Sequence, residues 1–512
     1  MGEPSNHAHS DSGLTDRLAA IAADPEDLIS ELAAFLSEED PVLALQAWLG
    51  SSRFAAGLEG KEAVLRWLHA DIAALDAVLN RLVNAILHNE RFQRLEATWQ
   101  GLRYLVTQSP PNSGVKIRVL NASWSDLSRD AQRAIEFDQS QLFRKVYEEE
   151  FGTPGGQPFG LLLCDHAIQH RVTAKYSTDD LRVVKYLSEV AAAAFAPVVT
   201  SVAPELFGVD RFAELDRPVD LQKIFAQTEY RAWRNLRKEE DSRFVAMTMP
   251  RVLMRRPYQR CTSRTDGFMF DEDVRNPDGR NYLWGNSVYA YGSVVMRAFA
   301  QSGWFEDIIG VTGEGNRGGL VTELTVDSFE TDRKDTVTKM LTDVVISDES
   351  ERDFSAAGFI SLCNCRHTQA AAFYSSQSIQ RSAVYDRPGP TRNAQLSTKL
   401  NLMLCVSRFA HYIKIIGREH LGSFASAEKL ETYLHKWIHQ YVSADINAPP
   451  NVRLKFPLRS AKVQVRTMDA KPGTFICTVH LQPHLQGDSS SSSVKFVTKL
   501  TAARQRALEL AA

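Results

Sequence analysis

Short apolar segments alternate with helical segments over about residues 115–310, and this alternation restricts the fold more than any other feature. The strand-like segments are VKIRVL at 115–120, FGLLLC at 159–164 and FVAMTM at 244–249. An alanine-rich helical segment lies between them at 181–196. Strands that alternate with helices are typical of a mostly parallel sheet covered by helices. The sequence therefore predicts an α/β domain over this region.

A long helical region is predicted upstream, over about residues 61–108. Its centre, FQRLEATWQGLRYLV at 92–106, carries apolar residues at helical spacing, namely Phe92, Leu95, Trp99, Leu102 and Val106. Either Ser123 or Ser125 is expected to cap the helix that follows 115–120.

The segment 308–345 favours short β elements, and two further helices are predicted over 391–416 and 426–442. The second of these helices has an apolar stripe formed by Leu430, Tyr433, Leu434, Trp437, Ile438 and Tyr441. Its other face is polar and carries Glu428, Lys436, His439 and Gln440.

Three strands are predicted at the C-terminal end, over 461–466, 474–481 and 493–500. A polar QGDSSSSS linker precedes the last strand. Alternate residues of this strand, Val494, Phe496, Thr498 and Leu500, lie on one face. A strand on such a tether can pair with its own domain or with the sheet edge of a neighbouring subunit. The residues alone leave both pairings open.

The N-terminal segment predicts a disordered polar tail over residues 1–13, followed by two short amphipathic helices. Leu14, Leu18 and Ile21 form the apolar stripe of the first helix, and the second carries Leu28, Ile29, Leu32 and Leu36. Helices this short do not build a core alone, so we expect them to dock on another surface.

Charge and hydropathy exclude several classes of protein. The net charge is -3, which argues against binding nucleic acid through a general basic field. The N-terminus lacks the apolar core of a secretory signal, and no apolar run approaches the roughly 18 residues of a membrane span. We therefore expect a cytoplasmic protein without direct membrane insertion.

The cysteines offer no complete metal site. Of the six, only Cys363 and Cys365 lie close together, and their C-x-C spacing lacks the second ligand pair of a zinc site. His367 is the nearest additional candidate. The sequence predicts no metal and no cofactor.

Two segments suggest chemistry that an ordinary structural role also explains. Gly313 to Gly318 matches G-x-G-x-x-G, but the residues after it are β-like, which favours a hairpin loop over a dinucleotide site. Asp165 and His166 follow a predicted strand, yet the neighbouring Cys164 points to the opposite strand face. Neither segment places a nucleophile next to the base that would activate it.

The basic stretch RVLMRRPYQRCTSR at 251–264 contains five arginines and a tyrosine. Arginines interleaved with an aromatic residue bind single-stranded nucleic acid in some proteins. In a slightly acidic chain the stretch is better explained as a protein–protein contact that meets the carboxylates of a partner.

Several segments, in order, resemble the large sheath subunit of type VI secretion systems, the TssC/VipB family. FQRLEATWQGLRYLV at 92–106 resembles the hallmark helix of that family, and EFDQSQLFRKVYEEEFGTPGGQPFG at 136–160 is also similar. Four later segments follow in the family's order, EDSRFVAMTMPRVLMRRPY at 240–258, YLWGNSVYAYG at 282–292, GFISLCNCRHTQAAAFYSSQSIQ at 358–380 and SRFAHYIKIIGREHLGSF at 407–424. The chain departs from the family pattern at 164–168 and at 362–368, so no fixed role is carried over to those positions.

The resemblance implies a structural protein and not an enzyme. The family's large subunit pairs with a small sheath subunit, and the heterodimers, with other copies of the chain, form a six-start helical sheath around an inner tube of hexameric rings. The sheath is attached to an envelope-anchored baseplate, contracts to propel the tube and its effectors, and is recycled by an AAA+ unfoldase.

The resemblance also implies a mixed α/β fold with N-terminal helices over 1–60, a main α/β domain over 61–380 and an inner domain over 381–512 whose strands interlock between protomers. It assigns the unfoldase-recognition helix to Leu14, Leu18 and Ile21. It assigns the exchanged inter-protomer strand to Val494, Phe496, Thr498 and Leu500. The polar face with Lys436, His439 and Gln440 is our candidate for the contact with the inner tube.

Two alternatives remain at this stage. One is the sheath of a related contractile injection machine, which is built from a single chain and needs no small subunit. The other is an enzyme that binds a nucleotide at the Gly313–Gly318 loop.

Overall fold

The computed structural model describes residues 35–47, 61–153, 155–173, 176–260, 267–276, 279–305, 307–311, 317–327, 341–365, 368, 370–420, 426–443, 445, 452, 455–467, 474–484 and 494–501. The chain divides into two units. The first contains Met1–Phe92 and Pro257–Asn281, and the second contains Gln93–Arg256 and Tyr282–Ala512.

The helices are numbered in chain order. Residues 35–37 and 41–47 are also helical. The longer helices are α1 (Lys61–Leu87), α2 (Glu90–Thr107), α3 (Trp124–Arg133), α4 (141–152, with a π-helical turn at Arg144–Glu148), α5 (Asp180–Ala194), α6 (Leu221–Ala226), α7 (Arg231–Leu236), α8 (Val288–Ser302), α9 (Asp348–Ala356), α10 (Pro388–Ser397), α11 (Leu400–His420) and α12 (Ala427–His439). Short 3-10 turns lie at Phe137–Gln139, Pro204–Phe207, Phe212–Asp216, Thr228–Tyr230 and Asp241–Phe244.

The strands of the described ranges are β1 (Leu162–Ile168), β2 (Val198–Val202), β3 (Val245–Met249), β4 (Val252–Leu253), β5 (Trp284–Gly285), β6 (Leu320–Val321), β7 (Ile360–Asn364), β8 (Ala371–Phe373), β9 (Leu458–Thr467), β10 (Thr474–Pro483) and β11 (Val494–Thr501).

In the first unit, one side of α1 holds the extended segment 267–273 through two asparagines. The Asn80 side chain donates to the carbonyl of Met269 (2.8 Å) and accepts from the amide of Asp271 (2.9 Å). One turn later, Asn84 donates to the carbonyl of Asp271 (3.1 Å) and accepts from the amide of Asp273 (2.8 Å). Residues four apart on a helix and two apart on an extended chain advance by similar distances, so the pattern repeats.

The second unit is built on a six-stranded sheet with the order β1-β2-β3-β7-β8-β6. β1, β2, β3 and β7 are parallel, whereas β8 pairs antiparallel with both β7 and β6. Helices cover both faces of this sheet. Alternate residues of a strand point to opposite faces, so neighbouring residues pack into different clusters. Val198 packs into the cluster that contains α5, whereas its neighbour Val199 packs into the cluster with α8. The predicted mixed α/β fold is confirmed.

A second, three-stranded sheet closes the chain. β10 is its central strand and pairs antiparallel with β9 on one side and β11 on the other. Its apolar face packs with α11 and α12 in a third core cluster. The predicted strands at 461–466, 474–481 and 493–500 are confirmed. The first two are slightly longer than expected, and the third has the expected length but begins one residue later.

The strand predicted at 115–120 is wrong. This segment is extended but belongs to no sheet of the described residues. Val115 and Ile117 pack on the cluster around α8, while Val119 and Leu120 are exposed. The alternation that suggested a strand is thus explained by side-chain packing without ladder hydrogen bonds.

The helix predicted over 391–416 is divided into α10 and α11. At the break, the carbonyl of Thr398 accepts from the amide of Ser378 (2.8 Å), and the amide of Leu400 donates to the carbonyl of Ser376 (2.9 Å). These backbone bonds to a distant segment compete with the helical pattern, so the helix stops. The region predicted as helical over 61–108 is likewise two helices, separated at 88–89.

Candidate assembly surfaces

Polar and small residues of the hallmark helix α2 make its contacts with two other segments of the chain. Glu96 forms an ion pair with Arg255, and both side chains are largely buried. Gly101 lies against the ring of Tyr289, so closely that a Cβ at this position would be 2.3 Å from the ring. Three of the segments that carry the family resemblance therefore meet at α2.

The predicted apolar stripe of α2 is divided: Leu102 packs on the cluster around α8, whereas three other members are exposed. Leu95, Trp99 and Val106 are 58%, 64% and 54% exposed. Large apolar side chains that cluster on a surface are typical of interaction sites.

In the described chain, β11 lies at the edge of the terminal sheet and pairs with β10 along its whole length. Phe496 is opposite Val479, Thr498 opposite Cys477 and Leu500 opposite Phe475. The backbone of Val494 is opposite Leu481.

The inner face of β11 is apolar and buried. Phe496 and Leu500 are buried in the third cluster, whereas Val497 on the outer face is 53% exposed. The Thr498 hydroxyl is buried and has no hydrogen-bond partner among the described residues. This strand contains the residues that were predicted for inter-protomer exchange.

Phe195 connects the terminal sheet to the parallel sheet. It ends α5 in the left-handed conformation (φ 51°). Its ring packs edge-on against Phe496 of β11, with centroids 5.9 Å apart, and lies under the ammonium group of Lys414 at 4.8 Å. The ring of Phe195 thus contacts both β11 and α11 from the end of α5.

One face of α11, which carries His411, Lys414 and Arg418, covers the C-terminal ends of two helices. His411 Nε2 bonds the carbonyl of Ala194 (3.0 Å), and Lys414 Nζ donates to that of Ala193 (3.3 Å). Arg418 donates to the carbonyl of Thr153 (3.0 Å) after α4. The positive charges of Lys414 and Arg418 are favourable there, because the last carbonyls of a helix lack partners within the helix. Burial lowers the pKa of His411 to about 4, so this side chain is neutral near pH 7.

The helix α12 exposes the polar face that was proposed to contact the inner tube. Ser426 caps its N-terminus, and Leu430, Leu434 and Ile438 are fully buried on the other side. Lys436, His439 and Gln440, by contrast, are all exposed. The ring of His439 stacks on that of His435 with centroids 4.0 Å apart.

The groups near 164–166 take part in internal contacts. Asp165 accepts hydrogen bonds from Thr98 (2.6 Å), Asn286 (2.6 Å) and Tyr289 (2.9 Å). Burial raises the pKa of the Cys164 thiol to about 12, and the negative charge of Asp165 adds to this effect. A thiol protonated at neutral pH is a poor nucleophile.

His166 is similarly engaged. Its ring stacks on Trp124 with centroids 4.1 Å apart, and its Nε2 lies 3.4 Å from a carboxylate oxygen of Asp180. Trp124 donates to the other oxygen of the same carboxylate (2.7 Å). The three side chains hold α3 and α5 to β1.

The described part of the glycine loop is hairpin-like. Gly318 has φ 70° and forms an antiparallel bridge with Val311, and the next element is the strand β6 and not a helix. Gly313 and Gly315 lie outside the described residues. The alternative, a phosphate site of the G-x-G-x-x-G type, requires a helix N-terminus directly after the glycines.

The cysteine pair gives no metal centre within the described ranges, where no group of three potential ligands occurs. Burial raises the pKa of Cys363 to about 12. His367 lies outside these ranges.

Three of the five arginines in the basic stretch form ion pairs or hydrogen bonds within the chain. Arg251 pairs with Asp343 (2.8 Å), Arg255 pairs with Glu96, and Arg256 donates to the carbonyl of Val326 (2.9 Å). The carboxylates that Arg251 and Arg255 contact thus lie within the chain and not on a partner, so the prediction is wrong for these two arginines. Residues 261–264 of the stretch lie outside the described residues.

Sequence reasoning missed the face of α11 with His411, Lys414 and Arg418 and the two asparagines of α1. The spacing of His411, Lys414 and Arg418 on one helix was a usable signal, but their partners are backbone carbonyls more than 200 residues away. Leu14, Leu18 and Ile21 lie outside the described residues. Among the helices of the described ranges, none has both the length and the apolar character that crossing a bilayer requires.

Comparison with known proteins covers most of the chain. A family model described as EvpB/VC_A0108, tail sheath N-terminal domain (VipB), matches residues 69–380. A second, described as EvpB/VC_A0108, tail sheath gpW/gp25-like domain (VipB_2), matches residues 390–500. The chain is 36% identical over 444 residues to the type VI secretion system sheath protein TssC1 of Pseudomonas aeruginosa, which is 86% of this chain and 87% of that protein. The chain therefore belongs to the TssC/VipB family of type VI secretion sheath proteins.

Proposed function

We propose that this chain, as the large sheath subunit, pairs with a small sheath subunit and polymerises around an inner tube. The polymer is a six-start helical sheath that contracts and propels the tube with its effectors out of the cell. Membership of the sheath family, which implies assembly with other sheath subunits, supports this proposal.

The observation that carries the proposal is the position of β11. An eight-residue strand with a buried apolar face lies at the edge of a three-stranded sheet, and its sequence is preceded by a serine-rich linker. Edge strands present unpaired backbone groups and are ready to pair with another chain. Exchange of the strand containing Val494, Phe496, Thr498 and Leu500 would link protomers while rigid bodies move during contraction.

We infer that the protein has a structural role and no catalytic one. The groups that most resembled a catalytic constellation, Cys164, Asp165 and His166, make contacts that tie β1 to surrounding helices. A contracting polymer that stores energy in its extended lattice requires no nucleotide site in the sheath subunit.

The other surfaces take their roles from the same proposal. The exposed face with Lys436, His439 and Gln440 contacts the inner tube. The segment with Leu14, Leu18 and Ile21 is the helix that an AAA+ unfoldase recognises during recycling. The sheath lies in the cytoplasm and is attached to an envelope-anchored baseplate.

We propose three regions for this assembly. Residues 1–60 hold the recycling helix, 61–380 form the main domain, and 381–512 form the inner domain that faces the tube. The two family matches, 69–380 and 390–500, support a boundary between the last two regions.

Negative-stain electron microscopy of the chain co-expressed with the small sheath subunit encoded beside it tests the proposal. We expect long hollow tubes with helical striations that are absent when either subunit is expressed alone. Tubes from this chain alone would indicate a single-chain sheath, and discrete particles in every condition would contradict polymerisation.

A further inference from the structure

Arg237 is a nearly buried cation that lacks a counter-ion among the described residues. It occupies the C-cap position of α7, and only 9% of its surface is exposed. Its Nε donates to the carbonyl of Ile379 (2.8 Å), and its guanidinium carbon lies 5.8 Å from the ring centroid of Trp233. A buried charge without an opposite charge is unfavourable, because little water remains to solvate it.

The charged group that acts on Arg237 is itself a cation. The amide of Arg381 donates to the carbonyl of Arg237 (2.8 Å), so the two arginines lie side by side in the fold. Burial, and then the positive charge of Arg381, lower the pKa of Arg237 to about 10. Within the described part of the chain no carboxylate offsets this pair, and an anion beside it would relieve both effects.

The free end of the guanidinium restricts the ligand. Since Nε is used by the carbonyl of Ile379, the terminal nitrogens Nη1 and Nη2 are the donors that remain, and neither bonds a described residue. Gly358 lies beside this end with φ 89°, and a Cβ there would be 3.1 Å from Nη2. Arg381 is exposed, so the site opens to the surface.

These donors fit a carboxylate better than a phosphate. The two terminal nitrogens of a guanidinium match the two oxygens of one carboxylate. Phosphate sites in proteins commonly use several backbone amides as well. Here the amides of Gly358, Ile379 and Arg381 already donate to carbonyls of the chain, so they offer a phosphate nothing.

We propose that Arg237 and Arg381 form a binding site for a carboxylate that is supplied by an Asp or Glu side chain of a neighbouring sheath subunit. This inference rests on the proposed function, because a neighbouring subunit must be present to supply the acidic residue. It adds a charged contact that involves neither β11 nor the polar face of α12.

Photo-crosslinking in assembled tubes identifies the acidic residue. The full-length chain is co-expressed with the small sheath subunit, and benzoylphenylalanine is placed at Ala383, which is exposed and leaves both arginines in place. The control position is Arg182, an exposed arginine of α5. We expect position 383 to crosslink a peptide of another subunit that contains Asp or Glu, at least about tenfold above position 182.

Mixed tubes of isotope-labelled and unlabelled chains distinguish a second copy from the same molecule. Crosslinks from position 383 that stay within one molecule would overturn the proposal, because the carboxylate would then belong to the chain itself.

A charge swap supplies the second measurement. We expect Arg381→Glu to reduce the protein that sediments as tubes at least about tenfold, since a carboxylate would then meet a carboxylate. Reversal of the crosslinked acidic residue to arginine should restore assembly to within about threefold of the unmodified protein. Arg182→Glu makes the same change at an exposed position and should leave assembly within about threefold. Absence of rescue would overturn the proposal.

A free anion is distinguished with the unassembled complex of the two subunits. Thermal unfolding is followed as sodium phosphate replaces sodium chloride at constant ionic strength. We expect no saturable stabilisation by phosphate. Saturable stabilisation that Arg381→Glu abolishes would identify a small-anion site and overturn the proposal.

The outcomes separate this site from the proposed function. If the unmodified chain forms tubes, but Arg381→Glu and Arg182→Glu behave alike, the carboxylate site fails and the proposed function stands. If the unmodified chain forms no complex with the small subunit, both fail.

Discussion

The ring of Tyr289 rests on the backbone of Gly101, and its hydroxyl donates to Asp165 at 2.9 Å. A side chain at position 101 would overlap the ring, because an ideal Cβ there lies 2.3 Å from Cδ2 of Tyr289. The glycine of the hallmark helix thus allows α2 to approach α8 closely enough for the tyrosine to reach the carboxylate.

We expect Gly101→Ala to lower the free energy of unfolding by about 1–3 kcal/mol, the usual cost of an overpacked core. The ring of Tyr289 must move and lengthen its bond to Asp165. Thermal unfolding measures the effect. Gly160→Ala is the control, since nothing lies within 4 Å of its Cβ, and an equal loss in both variants would contradict the explanation.

The Glu96–Arg255 ion pair should matter far more than an exposed pair. Its side chains are 14% and 11% exposed, so Glu96→Gln leaves a buried guanidinium without its counter-charge. We expect a loss of roughly 3 kcal/mol in urea unfolding. Arg129→Gln removes a pair whose side chains are more than half exposed and should cost less than about 1 kcal/mol. Equal costs would show that burial does not set the energy of this pair.

The buried His411 predicts a stability that falls in acid. Its pKa is lowered to about 4 in the folded chain, chiefly by burial, against an ordinary value near 6.5. The unfolded chain therefore binds this proton first, and stability declines as the pH falls from about 6.5 to about 4. The loss over that window is about 3 kcal/mol.

Urea unfolding between pH 7 and pH 4.5 measures this loss. His411→Gln keeps a donor for the carbonyl of Ala194 but does not titrate, so its pH dependence should be shallower than that of the unmodified chain. Parallel curves for the two proteins would assign the acid sensitivity to other groups.

Local periodicity made some of these elements predictable and left others hidden. The buried residues Leu430, Leu434 and Ile438 of α12 and the strands β10 and β11 follow from spacing within one segment, and the structure confirms them. Tyr433, which was predicted in the same stripe, is 41% exposed. The segment 115–120 has the same local alternation, yet no strand of the described chain pairs with it. A ladder needs a partner, and a single segment does not encode one.

Long-range contacts explain the remaining failures. Glu96 and Arg255 are 159 residues apart, and His411 is 217 residues from the carbonyl that it bonds. Neither pairing leaves a signal near either residue. The hallmark motif was recognised by resemblance, and only the fold gives the physical reason for its glutamate and glycine.

The exposed polar face of α12 predicts a variant that separates sheath assembly from tube binding. We expect Lys436→Glu with Gln440→Glu to leave tubular sheaths intact but to reduce the co-sedimenting inner-tube protein about tenfold, because a favourable charge becomes repulsive. Gln222→Glu with Lys223→Glu makes the same changes on exposed positions of α6. Loss of inner tube in both variants, or in neither, would remove this face as the contact.

Exchange of β11 predicts which chains a cross-strand disulfide would join. Thr478 and Val497 are directly opposite in the β10–β11 ladder, and directly opposite residues are close enough for a disulfide. We therefore expect Thr478→Cys with Val497→Cys, oxidised in assembled tubes, to give covalent multimers of this chain on a non-reducing gel. Each single variant is the control for unrelated thiols, including Cys477 beside the engineered pair. A double variant that is oxidised yet monomeric would mean that β11 stays in its own sheet within the polymer, and that another contact links the protomers.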